Sequence, residues 1–462
     1  MSTNTFPLWI QPGIIFGETG IPGGGRIEVV QTRESAEYRE ALLQWISELN
    51  TNYAGILWGR GEIRVGQESL ERLFRAASDA RSVWAYANYR SGDTRIGLYD
   101  LGIGSVSDKT DTGPLWVVHT ETAKTILAEM PNHINSPALS RYALHLGLMR
   151  QGIPLHLPET LTHAVSREST DIFSYLQPDW QDHQRDAERI FGTHLKNIGA
   201  HLPPRTSVYH DPLSYPVHAS VIIPVRNRER TIGDAVRSAL DQKADFDFNV
   251  IVVNNHSADE TGPRTLAAGE KDTRLRIISP KRTDLEIGGC WNLAARAPFA
   301  GRYLVQLDSD DVFAAKNALK VLVDTAASGP FAMTVGSYRT VDFEGNTVSP
   351  GDILHSEWTD DEGHNNLLRV AGVGAPRVYA TGIVRERLFP NVSYGEDYAM
   401  ALIISRSYRI ARNHEILYLA RRWEGNTDYG VDLACALERD RYKDHLRTIE
   451  IRARQILNAR RL

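Results

Sequence analysis

Four short apolar runs separated by helical spacings, between His218 and Leu307, constrain the fold more than any other feature of the chain. HASVIIPV (218–225) and FNVIVVNN (248–255) are β-branched and almost continuously apolar, as strands buried on both faces are. RLRIIS (274–279) and YLVQL (303–307) complete the set. Between the first two, Ile232, Ala235, Val236, Ala239 and Leu240 fall at i, i+3, i+4, i+7 and i+8, which predicts a helix. Further helices are predicted near 260–270 and 288–298. Strands joined in turn by helices run parallel, so the fold class is α/β, with ligands at the carboxyl ends of the strands.

At ~150 residues per domain, the 462 residues suggest two or three domains. The polar segment 178–216 reads as a helical run followed by a connector, separating residues 1–177 from a second domain at 217–430. Residues 431–462 read as a charged C-terminal helix whose Leu, Ile and Ala side chains pack on the body. Lys and Arg total 52 against 57 Asp and Glu, a net charge of −5 with no long basic run, which argues against nucleic acid as a partner. No stretch reaches the ~18–20 continuous apolar residues of a membrane span. The N-terminal MSTNTFPLWIQPGIIF lacks a basic start and an A-x-A site. Two cysteines, Cys290 and Cys435, cannot form a disulfide framework. A cytoplasmic protein with no transmembrane segment is expected; peripheral membrane association and homo-oligomers stay open.

Two blocks of the first half recur in the second. ILWGRGEIRVGQESLERLFRAA (56–77) lies over VQLDSDDVFAAKNALKVLVDTA (305–326) without gaps, with Leu70 on Leu319 and Leu73 on Leu322 at an offset of 249. YALHLGLMRQGIPLHLPETLTHA (142–164) lies over YAMALIISRSYRIARNHEILYLA (398–420), with Tyr142 on Tyr398 and Glu159 on Glu415 at an offset of 256. The same order and nearly the same offset in both blocks make the N-terminal half a degenerate copy of the C-terminal one.

Acidic residues stand where the alternation places a ligand. LDSDD (307–311) follows an apolar strand; carboxylates at a strand's end can hold a hard divalent cation that bridges a diphosphate. In an extended chain Asp308 and Asp310 point the same way. The same residues also suit a solvated acidic turn. GEDYAM (395–400) carries a second pair, Glu396 and Asp397, one of which can act as a general base, while Glu396 suits a helix N-terminus. In RRWEGN (421–426), Arg422 offers charge to a phosphate and Trp423 a stacking face to a sugar. His364 and His414 read as satisfied polar residues and Cys290 as a small hydrophobe.

Together, SVIIPVRNRERTI, VIVVNNHSAD, LDSDD, GGCWNLAARA and YGEDYAM resemble, in order, the motifs of family-2 glycosyltransferases of the GT-A fold. The resemblance covers about 218–426, with 56–165 as a decayed echo. It implies a Rossmann-like mixed sheet with helices on both faces, preceded by a degenerate, non-catalytic GT-A-like domain. It further implies a bacterial polysaccharide-synthesis enzyme that moves a sugar, with inversion, from a nucleoside-diphosphate sugar to a saccharide or lipid-linked saccharide hydroxyl. The favoured donor is a UDP-sugar, with a GDP-sugar second. Pro224, Arg226, Asn227 and Asn255 would line the nucleotide, with Asp308. Asp308 and Asp310 would hold Mn²⁺ or Mg²⁺, Asp397 would be the base, and Glu396, Arg422 and Trp423 would face substrate or phosphate.

Three departures bear on this assignment. Asn254-Asn255 replaces a common Asp-Asp, and an Asn amide can donate as well as accept. Trp423 stands where relatives often carry a metal-binding His, and Leu419 where processive relatives carry Gln, which favours single-sugar transfer. In the N-terminal copy, Gly59-Arg60-Gly61-Glu62 falls on the 308–311 cluster and Ser140-Arg141 on Glu396-Asp397, so both acidic centres are lost. The alternatives are a non-catalytic carbohydrate- or nucleotide-binding protein and a nucleotidyltransferase, for which VRNRERTIG is a poor match.

Overall fold

The structure, a computed structural model, describes residues 8–10, 15–19, 26–30, 38–58, 63–134, 136–164, 180–204, 207–355, 358–426 and 429–460. It divides into two compact units. The first comprises Met1–His201 and Asp432–Leu462, the second Leu202–Val431. The segment read as a connector is itself divided between them.

The second unit begins with the alternation read from the sequence. β10 (Ala219–Val225), α6 (Ile232–Leu240), β11 (Phe248–Asn254), α7 (Thr261–Ala268), β12 (Leu275–Ile278), α8 (Ile287–Arg296) and β13 (Tyr303–Gln306) fall within a few residues of the expected bounds. β10 pairs parallel with β11 on one side and β13 on the other, Val221 lying opposite both Val250 and Val305. Val221, Ile223 and Val225 bury one face of β10 against Ile232, Ala235, Val236 and Ala239 of α6, the residues that carried the helical spacing. The chain continues through β14 (Val312–Phe313), α9 (Ala318–Ala327), β15 (Phe331–Val341), β16 (Thr347–Ile353), α10 (Gly363–Asn366), β17 (Arg377–Ala380), α11 (Thr381–Arg387), α12 (Glu396–Ser407) and β18 (Arg409–Arg421). Among the described residues the sheet order is β12-β11-β10-β13-β17-β15-β18-β14, with β16 beside β15.

The first unit holds β1 (Leu8–Ile10), β2 (Ile15–Thr19), β3 (Arg26–Val30), α1 (Tyr38–Glu48), β4 (Tyr53–Leu57), β5 (Ile63–Val65), α2 (Gln67–Asp79), β6 (Trp84–Ser91) and β7 (Thr94–Ile96). It continues with β8 (Leu115–His119), α3 (Thr120–Glu129), α4 (Pro137–Gln151), β9 (Leu155–Ala164) and α5 (Trp180–Asn197), and takes in the C-terminal α13 (Leu433–Ala459). Its sheet runs β1-β5-β9-β6-β8-β4-β2-β3, with β7 beside β6.

The repeat is structural as well as sequential. The path β5-β9-β6-β8-β4 matches β14-β18-β15-β17-β13 strand for strand, with the same parallel or antiparallel sense at every pairing. Tyr89 pairs with Thr162 as Tyr338 does with Tyr418, at the offsets of 249 and 256 read from the sequence. Even the irregularity before these residues recurs, Asn88 meeting Thr160 as Ser337 meets Ile416. Beyond β4 and β13 the units part. β13 continues into parallel β10, β11 and β12, whereas β4 meets the antiparallel pair β2 and β3.

The acidic segment after β13 is not extended: the Asp311 amide donates to the Asp308 carbonyl at 3.2 Å, closing a turn, so strand alternation does not orient Asp308 and Asp310. α13 does not bury a purely apolar face. Lys443, Asp444, Arg447, Glu450 and Arg454 are buried alongside Ile451, while Ile449 and Ile456 are exposed. Four of these charges are buried as pairs, Arg447 donating to Asp444 and Arg454 to Glu450, each at 2.7 Å.

Candidate active site

The site gathers where β10, β11 and β13 of the second unit end. After β10 the chain turns through Asn227, at φ 52°, a left-handed conformation that Asn tolerates better than most residues. This turn is stitched to the one after β11. The Asn227 amide donates to Ser257 Oγ at 3.0 Å and Asn227 Oδ1 accepts from the Ala258 amide at 2.8 Å. The Arg228 amide donates to Thr261 Oγ1 at 2.7 Å. Asn227 therefore spends its side chain on the loop, while Arg226 is exposed and Pro224 is half-buried inside β10.

Asn255 is buried, its Nδ2 donating to the Leu285 carbonyl at 2.7 Å. That bond fixes the amide orientation and, among the described residues, leaves Oδ1 buried without a hydrogen-bond partner. A buried acceptor left unpaired carries a desolvation penalty of about 1–3 kcal/mol. A ligand N–H would remove it.

The acidic turn is held from below by two residues that the sequence reading passed over. Gln306 ends β13 and donates from Nε2 to both carboxylate oxygens of Asp308, at 3.0 and 2.9 Å. Tyr418 of β18 accepts from the Asp308 amide at 3.0 Å. Burial pushes the Asp308 carboxyl up, opposed by the Arg377 guanidinium. Burial pushes Asp311 well up too, and the charges of Asp310 and Asp308 add to the effect. Asp311 Oδ1 accepts from the Arg421 amide at 2.7 Å. Asp310 Oδ2 accepts from Trp423 Nε1 at 3.2 Å and Asn426 Nδ2 at 3.1 Å.

The second acidic pair opens α12 after Gly395, whose φ of 80° turns the chain into the helix. Arg377, at the start of β17, donates to Asp397 Oδ2, and Asp397 Oδ1 accepts from the Tyr398 amide at 2.7 Å. Arg377 also feels the charges of Asp308 and Glu396, so one half-buried guanidinium serves both acidic centres. Its amide donates to Gln306 Oε1 at 3.2 Å, which ties β17 to the residue that supports Asp308. Burial, reinforced by Asp397, pushes Glu396 up to about 8. A helix-dipole role that needs its negative charge at neutral pH therefore does not hold.

Arg422 is half-buried, its amide donating to the Val341 carbonyl at 2.9 Å. His364 bonds the Leu202 carbonyl at 2.7 Å and His414 the Leu354 carbonyl at 3.0 Å, as satisfied polar residues should. Burial pushes the Cys290 thiol up to about 11, which suits packing and opposes nucleophilic chemistry. Gln306, Arg377 and Tyr418 share one signal in sequence: each is a polar residue within an apolar strand, and such a residue needs a partner.

In the first unit, the position of Asp397 belongs to Arg141. Its guanidinium donates to Thr112 Oγ1 at 2.8 Å and the Gly113 carbonyl at 3.1 Å and lies 5.3 Å from the Trp116 ring centre. Trp58 and Trp116 are buried beside it, and Trp84 packs on Trp116, filling this region with rings. Gly59-Arg60-Gly61-Glu62, aligned with the 308–311 cluster, lies outside the described residues.

Comparison with known proteins bears on the second unit. Residues 220–380 match the sequence profile described as glycosyl transferase family 2. An uncharacterized glycosyltransferase of Rickettsia bellii is 28% identical over 188 residues, 40% of this chain and 26% of that protein. The Escherichia coli UDP-Glc:alpha-D-GlcNAc-diphosphoundecaprenol beta-1,3-glucosyltransferase WfgD is 26% identical over 196 residues, 42% of this chain and 71% of that one. A crystal structure of S. aureus TarS in complex with UDP-GlcNAc is 20% identical, with a TM-score of 0.37, over 46% of this chain and 61% of that one. The chain spans 26–30% of the length of the first curated relatives it matches. Among the described residues, no helix is long and apolar enough to cross a membrane.

Proposed function

We propose, from the membership of residues 220–380 in glycosyl transferase family 2, that the second unit is an inverting glycosyltransferase. It takes a nucleoside-diphosphate sugar, a UDP-sugar first and a GDP-sugar second, to a hydroxyl of a saccharide or lipid-linked saccharide. The similarity to WfgD supports this acceptor class. The observation that carries the reading is the convergence of two acidic centres, 308–311 and 396–397, on Arg377 beside the ends of parallel strands.

In this reading the unpaired Oδ1 of Asn255 accepts a ring N–H of the base that lies beside a carbonyl, a group that uracil and guanine both carry. Asp397 takes the proton of the attacking acceptor hydroxyl, while Arg377 and the Tyr398 amide fix the orientation of its carboxylate. The attack comes from the face opposite the leaving diphosphate, which inverts the anomeric centre.

Asp308 and Asp310 are the residues that would hold Mn²⁺ or Mg²⁺. Hard carboxylate oxygens suit these ions, and the mutual repulsion of Asp308 and Asp310 is the kind of strain a divalent cation relieves. Among the described residues no three His, Cys, Asp or Glu side chains cluster as ligands, so the diphosphate and water would complete the shell. Bound there, the cation supplies positive charge to the leaving diphosphate. The first unit, with Arg141 in place of Asp397, is non-catalytic in this reading.

Asp397→Asn tests the assignment. It should keep the thermal shift given by UDP with Mn²⁺ and lower nucleotide release from a panel of UDP- and GDP-sugars by about 10²–10⁴-fold. Unchanged release would remove Asp397 from the role of base. Absence of release from wild type with every donor would favour the binding-protein reading.

A further inference from the structure

The segment after β18, Arg421–Asn426, folds back over the turn at 308–311, and its contacts are more specific than a surface loop needs. Asn426 uses its whole amide. Oδ1 accepts from the Trp423 amide at 2.7 Å, and Nδ2 donates to the Arg421 carbonyl at 3.0 Å and to Asp310 Oδ2 at 3.1 Å. The first two bonds leave no freedom in which end of the amide faces Asp310. Trp423 Nε1 donates to the same oxygen at 3.2 Å. The indole ring is not left open for stacking. Arg228 and Arg230 lie 5.9 and 5.4 Å from its centre, and Phe343 meets it edge-on at 5.6 Å. Arg228 Nη2 also donates to the Gly425 carbonyl at 2.9 Å, tying the segment to the turn after β10.

We propose that Asn426 and Trp423 are positioning residues for the Asp310 carboxylate. They hold its Oδ2 by two N–H groups so that Oδ1 is presented to a divalent cation. This rests on the reading of Asp310 as a metal ligand, and it replaces a sugar-stacking role for Trp423 with a role in the metal's outer shell. The logic is that of metal sites generally: a carboxylate ligand free to rotate binds weakly, and partners that fix it contribute about 10- to 100-fold in metal affinity.

The test is a titration of the full chain with Mn²⁺, read as loss of the free-ion electron paramagnetic resonance signal, alongside UDP affinity measured in EDTA. Trp423→Phe keeps a ring among the guanidiniums and removes only the indole donor. Asn426→Ala removes the second donor. Both variants should bind Mn²⁺ about 10- to 100-fold more weakly, with UDP affinity in EDTA unchanged. Asp310→Ala should abolish Mn²⁺ binding. If Asp310→Ala abolishes it while Trp423→Phe and Asn426→Ala bind as wild type does, the positioning role is overturned and the metal reading stands. If Asp310→Ala binds as wild type does, or wild type binds no Mn²⁺, the metal reading itself fails. An equal loss of UDP affinity in EDTA would reassign the segment to the nucleotide pocket and overturn the proposal.

Discussion

Glu396 enters α12 as a buried acid held up to about 8, against an ordinary value of 4.5, by burial and then by its neighbour Asp397. Its contribution to stability is fully present below pH 4.5 and is lost as pH rises through about 8, because the folded chain resists the ionisation that the unfolded chain allows. Glu396→Gln has no proton to lose. Its melting temperature should exceed that of wild type by several degrees more at about pH 9 than at about pH 5. An equal difference at both would refute the assignment. At this scale the sequence announced the acids themselves, since Asp308, Asp310 and Asp397 stand at the ends or starts of elements where ligands gather. It gave no comparable sign of what each acid would meet. Gln306 is local to Asp308, but Arg377 and Tyr418 act from strands far along the chain, and their partners follow from sheet order, which no local pattern encodes.

Among the elements, the strand and helix alternation of 218–307 was legible because continuous apolar runs and helical spacing are both local signals. The turn at 308–311 was not, since the same short polar run suits an extended or a turned chain and the hydrogen bond that decides lies inside it. The entry to α12 depends on a close approach of α8. A Cβ at Gly288 would stand 1.9 Å from the Pro390 carbonyl oxygen, a backbone atom that cannot rotate away. Gly288→Ala should therefore displace the segment leading to Glu396 and lower stability by about 1–3 kcal/mol in denaturant unfolding. Gly233→Ala in α6 is the matched control. Its Cβ would meet only the Arg237 guanidinium, at 3.2 Å, and should be tolerated. Equal effects would show that helix propensity, and no contact with Pro390, governs Gly288.

For the whole molecule, the repeat carried the most information. Offsets of 249 and 256, read from a few matched side chains, reappear as strand register in both sheets. The composition of the first unit was not legible, because α13 joins it from the far end of the chain. Arg454 and Glu450 are 0% and 2% exposed at 2.7 Å, and removing one partner of such a pair leaves the other charge buried. Glu450→Ala should cost about 3–5 kcal/mol. The loss should appear as weakened amide hydrogen-exchange protection across β4–β9. Unchanged protection there would mean that α13 does not support the first unit.

The place of α13 in the first unit also sets an order of events during synthesis. Residues 202–431 are made before 433–459, so the second unit has its full sequence while the first still lacks a helix. The half that is translated first is completed last. Until then, the loop at Gly104, which in the finished fold approaches the Asp444 carbonyl so closely that a Cβ would stand 2.0 Å from it, lacks that helix as its cover. A nascent chain of this protein presents that uncovered surface to chaperones and proteases for the whole time that its second unit is being made.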